Sequence, residues 1–107
     1  MAATIGEFER ATLLAVARLS NSAYGMTIRQ ELESRLSRPV SIGAVYTTLG
    51  RMEEKGFVRS WLGKPTAFRG GRAKKYYAVE PPGLSALEQS KQVSRAVWAL
   101  YPSEGPA

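Results

Sequence analysis

The chain of 107 residues contains neither cysteine nor histidine. Without cysteine there is no disulfide, no thiolate nucleophile and no zinc site of the usual kind. Without histidine the commonest general base and metal ligand is missing as well. The carboxylates are scattered, and no acid–base pair or activated nucleophile can be assembled from them, so neither an enzyme nor a cofactor is expected. Long apolar runs are also absent: nothing approaches the roughly 20 residues that span a bilayer. The start, Met1 to Glu7, lacks a basic stretch followed by an apolar core and does not read as a secretion signal. A cytoplasmic protein is the simplest expectation.

What is present is the composition of one small globular domain, 44% hydrophobic and 22% charged. The net charge of +6 favours a polyanionic partner. Its placement is more informative than its size. Arg59, Lys64, Arg69, Arg72, Lys74 and Lys75 follow one another with no acid between them.

Periodicity divides the chain. Phe8, Ala11, Thr12, Ala15, Val16 and Leu19 recur at helical spacing and predict a helix from Glu7 to Leu19, with glutamates in its first turn and Arg18 in its last. Tyr24, Ile28, Leu32 and Leu36 form a narrow stripe on a second helix from about Ala23 to Leu36, closed by Ser37-Arg38-Pro39. Ser41 is a suitable N-cap for a third helix with Ile42, Val45, Leu49 and Met52 inward, and Gly56 stands where a left-handed residue ends it. Phe57–Leu62 and Lys75–Val79 read as two strands around a loop containing Gly63, Pro65, Gly70 and Gly71. After Pro81-Pro82-Gly83 a last helix is expected from about Leu84 to Leu100.

Three helices and a hairpin with a basic, glycine-containing tip make a mainly α (α+β) winged helix-turn-helix. Residues 1–80 form that unit, 81–101 a C-terminal dimerisation helix and 102–107 a frayed tail. Opposite its apolar stripe the third helix presents Gly43, Ala44, Thr47 and Arg51, with Thr48 and Glu54 at the margins. Small and hydroxyl residues allow close approach to a groove, and Arg51 has the reach for a guanine edge or a phosphate. In the wing, Gly70-Gly71 leaves the tip unobstructed, Arg69 and Arg72 are placed to enter a minor groove, and Lys74 and Lys75 to meet phosphates. Candidate DNA contacts are therefore Ser41, Gly43, Ala44, Tyr46, Thr47, Thr48, Arg51, Arg69, Gly70, Gly71, Arg72, Lys74 and Lys75. A solvated helix face and an ordinary soluble hairpin are the plainer readings of the same residues. Tyr46 suits either packing or a hydroxyl bond to phosphate. Of Tyr76 and Tyr77, one ring is expected in the core and the other against the wing.

The last helix carries two apolar stripes, Ala86, Ser90, Val93, Val97, Leu100 and Leu84, Leu87, Lys91, Ser94, Trp98, Tyr101. That is more than a three-helix core covers, so a homodimer is expected, with a pseudo-palindromic double-stranded DNA operator.

Together these segments resemble the PadR-like transcriptional regulators. The resemblance rests on Tyr24-Gly25, on the run from Ser41 to Leu49, and on Arg51 to Val58. It rests also on the wing from Arg69 to Tyr77, and on Pro81 with Gly83; it covers about residues 5–100. Glu80 and Pro82 depart from the threonine and charged residue usual in the family. The resemblance implies a dimeric repressor of the short branch, whose last helix crosses to the partner's N-terminal helix. Phe8, Leu84, Leu87, Val93, Val97, Trp98, Leu100 and Tyr101 are then the dimerisation candidates. In some short members flat aromatic drugs stack on a tryptophan at the dimer centre, which makes Trp98 a candidate for binding a small aromatic effector or, more simply, for sealing the interface. The alternative function is a winged-helix protein-interaction module that does not bind DNA.

Overall fold

A computed structural model describes residues 5–64 and 73–102. The element order is α1 (Glu7–Leu19), a short 3-10 turn (Ser20–Ser22), α2 (Gly25–Leu36), α3 (Ile42–Glu54), β1 (Val58–Leu62), β2 (Lys75–Val79) and α4 (Pro81–Trp98). The two strands pair antiparallel with Val58 opposite Val79 and Trp61 opposite Tyr76. This is the expected winged arrangement of mainly helical class.

The core lies between α1, α2, α3 and the inner face of the hairpin. Leu13, Val16, Ile28, Leu32, Val45, Leu49, Met52, Val58 and Tyr77 are all buried in it. Leu13 is fully enclosed although it lies off the stripe read from the sequence, while Phe8, Ala11 and Leu19 are only partly covered. The reason is position: α1 touches α2, α3, α4 and β2, so its buried arc is wider than one stripe. Thr12 is buried with it and satisfies its hydroxyl by donating to the Phe8 carbonyl at 2.8 Å.

Helix α2 starts two residues later than its periodicity suggests. Ala23 and Tyr24 are extended because the hairpin claims them: the Tyr77 N–H donates to the Ala23 carbonyl at 2.9 Å, and Tyr24 forms a bridge with Tyr76. The segment thus adds a short third edge to the sheet. Tyr24 then serves as N-cap, its N–H donating to the Thr27 hydroxyl at 3.0 Å. Ser37, left-handed with φ 54°, closes α2.

Helix α3 has both ends fixed by local chemistry. The Ala44 N–H donates to the Ser41 hydroxyl at 3.0 Å, which satisfies one of the free donors of the first turn. At the other end Gly56 takes φ 77°, its N–H reaching the Glu53 carbonyl at 3.0 Å while the Phe57 N–H reaches the Met52 carbonyl at 2.9 Å. This paired closure is the Schellman motif, and it aims the chain directly into β1.

Helix α4 begins at Pro81, three residues before the expected start. Prolines are tolerated in a first turn because the N–H groups there have no intrahelical acceptor. Glu80, without a side-chain cap bond, supplies its carbonyl to the Leu84 N–H at 3.0 Å. Gly83 is pressed onto the base of the hairpin, where a Cβ would overlap the Phe57 carbonyl and lie 2.9 Å from Val79 Cγ1. Beyond Ala86 and Leu87 the helix runs off the core. No helix among the described residues is long and apolar enough to cross a membrane.

Candidate nucleic-acid interface

On α3 the sequence of core and surface positions sets what can be offered to a groove. Val45, Leu49 and Met52 hold the helix against α1 and α2. Gly43, Ala44, Thr47 and Arg51 are exposed on the far side, and Ser41 is exposed at the N-cap with its hydroxyl engaged by Ala44. Thr48 is a correction: it is 4% exposed and belongs to the core. It precedes Met52 by four residues, hence lies only about 40° around the helix from it, on the inward side. Gly50 was overlooked. It is exposed, with nothing within 4 Å of where a Cβ would stand. The signal was available, since Gly50 follows Thr47 by three and continues the run of small residues begun at Gly43.

Tyr46 stands at the edge of this face, half exposed, with its hydroxyl and ring lying over Gly25. Packing therefore holds the tyrosine in place while leaving part of its ring open. The Tyr24-Gly25 pair gains a physical meaning: Tyr24 caps α2 and bridges to β2, and Gly25 leaves room for Tyr46.

The hairpin separates its two faces cleanly. Tyr77 turns into the core, and burial pushes its hydroxyl above the ordinary value of 10.0, with smaller contributions from Glu53 and Tyr46. Tyr76 stays on the wing, stacked with Trp61 at 6.1 Å between ring centroids and meeting Tyr24 edge-on at 5.5 Å. The division expected for the two tyrosines holds.

Cations decorate this aromatic row. Lys74 Nζ lies 5.1 Å from the centre of the Tyr24 ring and the Arg59 guanidinium 4.7 Å from that of Trp61. Lys74 and Lys75 are exposed, as is Lys64. Arg59 differs from the others, because Glu80 at the N-cap of α4 approaches it to 3.7 Å. A segment without acids in sequence thus acquires one in space, while Lys64, Lys74 and Lys75 have no acid partner among the described residues. Arg69, Gly70, Gly71 and Arg72 lie outside the described residues.

The candidate dimer residues lie mostly on α4 and the turn that follows it. Val93, Val97, Trp98, Leu100 and Tyr101 are exposed, Trp98 at 68%, and Leu84 and Leu87 continue the surface toward the core. Phe8 differs, being half buried against the core beneath Arg38. The Arg10 guanidinium ties α1 to α4 by donating to the Ser90 hydroxyl at 3.1 Å. Beside it an open groove of about 690 Å³, with Leu14, Leu87 and Trp98 among its lining residues, runs between the two helices. Among the described residues there is no cluster of three acids that could hold a metal ion.

The model of the transcriptional regulator PadR-like family matches residues 13–89, from α1 into α4. The chain belongs to this family. It is a family of transcriptional regulators rather than of enzymes. Solved structures agree in fold. A PadR-like regulator from Bacillus cereus is 29% identical, with a TM-score of 0.68 over 91% of this chain and 93% of its own. A PadR family regulator from Clostridium difficile is 27% identical, with a TM-score of 0.66 over 85% and 92%. A PadR-like factor from Bacteroides fragilis reaches a TM-score of 0.74 at 20% identity, over 87% and 84%. No curated protein matches the sequence.

Proposed function

We propose that this PadR-family protein is a dimeric, cytoplasmic repressor that binds double-stranded DNA through α3 and the wing. The observation that carries the reading is the outer face of α3. Gly43, Ala44, Thr47, Gly50 and Arg51 are all exposed, while the same helix is rigidly seated by its buried residues. A face built of glycine, alanine and threonine with one arginine has little to gain from solvent, but it admits the edges of bases closely. Lys74 and Lys75 extend the surface with the positive charge that phosphates require. In this reading α3 reads the major groove, and the wing positions the domain on the backbone through Lys74 and Lys75.

The exposed apolar end of α4 supports a homodimer, since Val93, Val97 and Trp98 stay largely exposed among the described residues. A two-fold dimer would present two copies of α3 to half-sites about 34 Å apart, on a pseudo-palindromic operator. Occupation of such a site in a promoter is the physical basis of repression. The groove beside Trp98 suits a flat aromatic effector that would change how the two α4 helices pack.

Selection of bound duplexes from a random pool, followed by binding at two salt concentrations, tests the reading. Enrichment of a palindromic sequence and a steep loss of affinity with salt are expected. A flat sequence preference reduces the function to non-specific binding, and no binding at all removes DNA as the partner.

A further inference from the structure

The recognition helix and the wing are joined by a side-chain hydrogen bond. Ser60 on β1 donates its hydroxyl to Glu53 Oε2 in the last turn of α3, at 2.6 Å. The backbone between them is the turn at Gly56, which sets the direction of β1; Phe57, Val58 and Tyr77 anchor the base of the hairpin in the core, and Ser60 lies two residues beyond that base. A carboxylate next to a surface that receives phosphates opposes binding by simple repulsion. Glu53 is nonetheless placed there, seven residues after Tyr46 on the same edge of α3. Its carboxylate also lies close enough to β2 to act on the Tyr77 hydroxyl.

We infer that Glu53 is a positioning residue: through Ser60 it fixes the angle of the wing against α3, so that the wing lysines reach phosphates while α3 sits in its groove. The inference rests on the DNA-binding reading for its consequence and on the Ser60–Glu53 contact for its cause. Repulsion and positioning make opposite predictions. If the carboxylate only repels, Glu53→Ala and Glu53→Gln both tighten binding. If it positions, Glu53→Ala loosens the wing, whereas the carboxamide oxygen of Glu53→Gln still accepts from Ser60.

The test uses the full chain, with a Trp61→Phe protein measured alongside so that the signal of Trp98 is subtracted and that of Trp61 on the wing isolated. Glu53→Ala, Ser60→Ala, their combination and Glu53→Gln are compared by Trp61 fluorescence anisotropy without DNA. They are then compared by binding across a salt series, on a duplex selected with the unsubstituted protein. The two alanine variants should each lower the anisotropy and weaken binding about three- to tenfold, the range of one exposed hydrogen bond. The salt slope should flatten because fewer phosphates are neutralised, the combination should be no worse than either variant, and Glu53→Gln should keep both anisotropy and slope. Tighter binding by Glu53→Ala, additive losses in the combination, or anisotropy that ignores all four variants would each overturn the inference. If the unsubstituted protein selects no duplex, the DNA reading fails, and the anisotropy alone decides whether Glu53 sets the wing.

Discussion

Gly25 and Tyr46 occupy one space between them. A Cβ on Gly25 would stand 2.6 Å from Tyr46 Cζ and closer still to the hydroxyl, so the tyrosine rests on the bare backbone at the start of α2. The contact joins the first turn of α2 to the middle of α3.

The first prediction follows from that contact. In the opening turn of a helix alanine is otherwise at least as favourable as glycine. Gly25→Ala should nevertheless destabilise the protein by about 1–3 kcal/mol, the usual cost of overpacking a filled site. Tyr46→Ala should relieve most of that penalty in the double variant. Chemical denaturation of the four proteins of this cycle measures it, and additive effects would mean that the two residues do not share the space.

Tyr77 gives a second prediction, in alkaline solution. Burial first, and the neighbouring Glu53 carboxylate next, raise its hydroxyl above 10.0 in the folded protein. Above the unfolded value the unfolded chain has lost the proton while the folded chain still holds it, so stability falls as pH rises through the window between the two values. The contribution is fully present below pH 10 and is lost as pH passes through the folded value. Thermal melts from pH 8 upward should show this decline, and Tyr77→Phe, which has no proton to lose, should show less of it. Equal declines would locate the alkaline sensitivity elsewhere.

Both ends of α3 and the returning strand were legible in the sequence because local chemistry decides them. Ser41 caps α3 and Gly56 closes it whatever surrounds them, and Lys75–Val79 forms the returning strand as read. Among the features that were not legible, three depend on a distant part of the chain. Ala23 and Tyr24 leave the helical pattern because β2 pairs with them from more than 50 positions away. Leu13 is buried because α1 is enclosed from several sides at once. Arg59 gains an acidic neighbour in Glu80, which reaches it only because β1 pairs with β2, two positions beyond the Ala78 that stands opposite Arg59. Thr48 is a different kind of miss: hydroxyl chemistry suggested a role at the groove, while its angle beside Met52 places it inside.

The third prediction separates reading from positioning. On the proposed reading Thr47 and Arg51 meet base edges, so Thr47→Ala and Arg51→Ala should change which sequences are preferred, each good base contact being worth about 1–3 kcal/mol of discrimination. Lys74→Ala and Lys75→Ala should weaken binding to all sequences alike and reduce the salt slope by about one for each phosphate no longer neutralised. Competition binding against permuted sites at two salt concentrations separates the two classes. If the lysine variants shift sequence preference while Thr47→Ala and Arg51→Ala do not, the roles of wing and helix have been exchanged.

The fourth prediction concerns α4. Val97 is 58% exposed on the apolar side of the helix, so a charge there costs the isolated chain little, because no core packing is disturbed. In a dimer the same charge would be buried without a partner, at a cost of several kcal/mol. Val97→Asp should therefore keep the circular dichroism of a helical domain while shifting the molecular mass in light scattering from dimer to monomer. Affinity for a full palindromic site should collapse toward that for a half-site, because the two recognition helices are no longer tethered. An unsubstituted protein that is already monomeric at micromolar concentration would remove α4 as a dimer element and leave its apolar face to another partner.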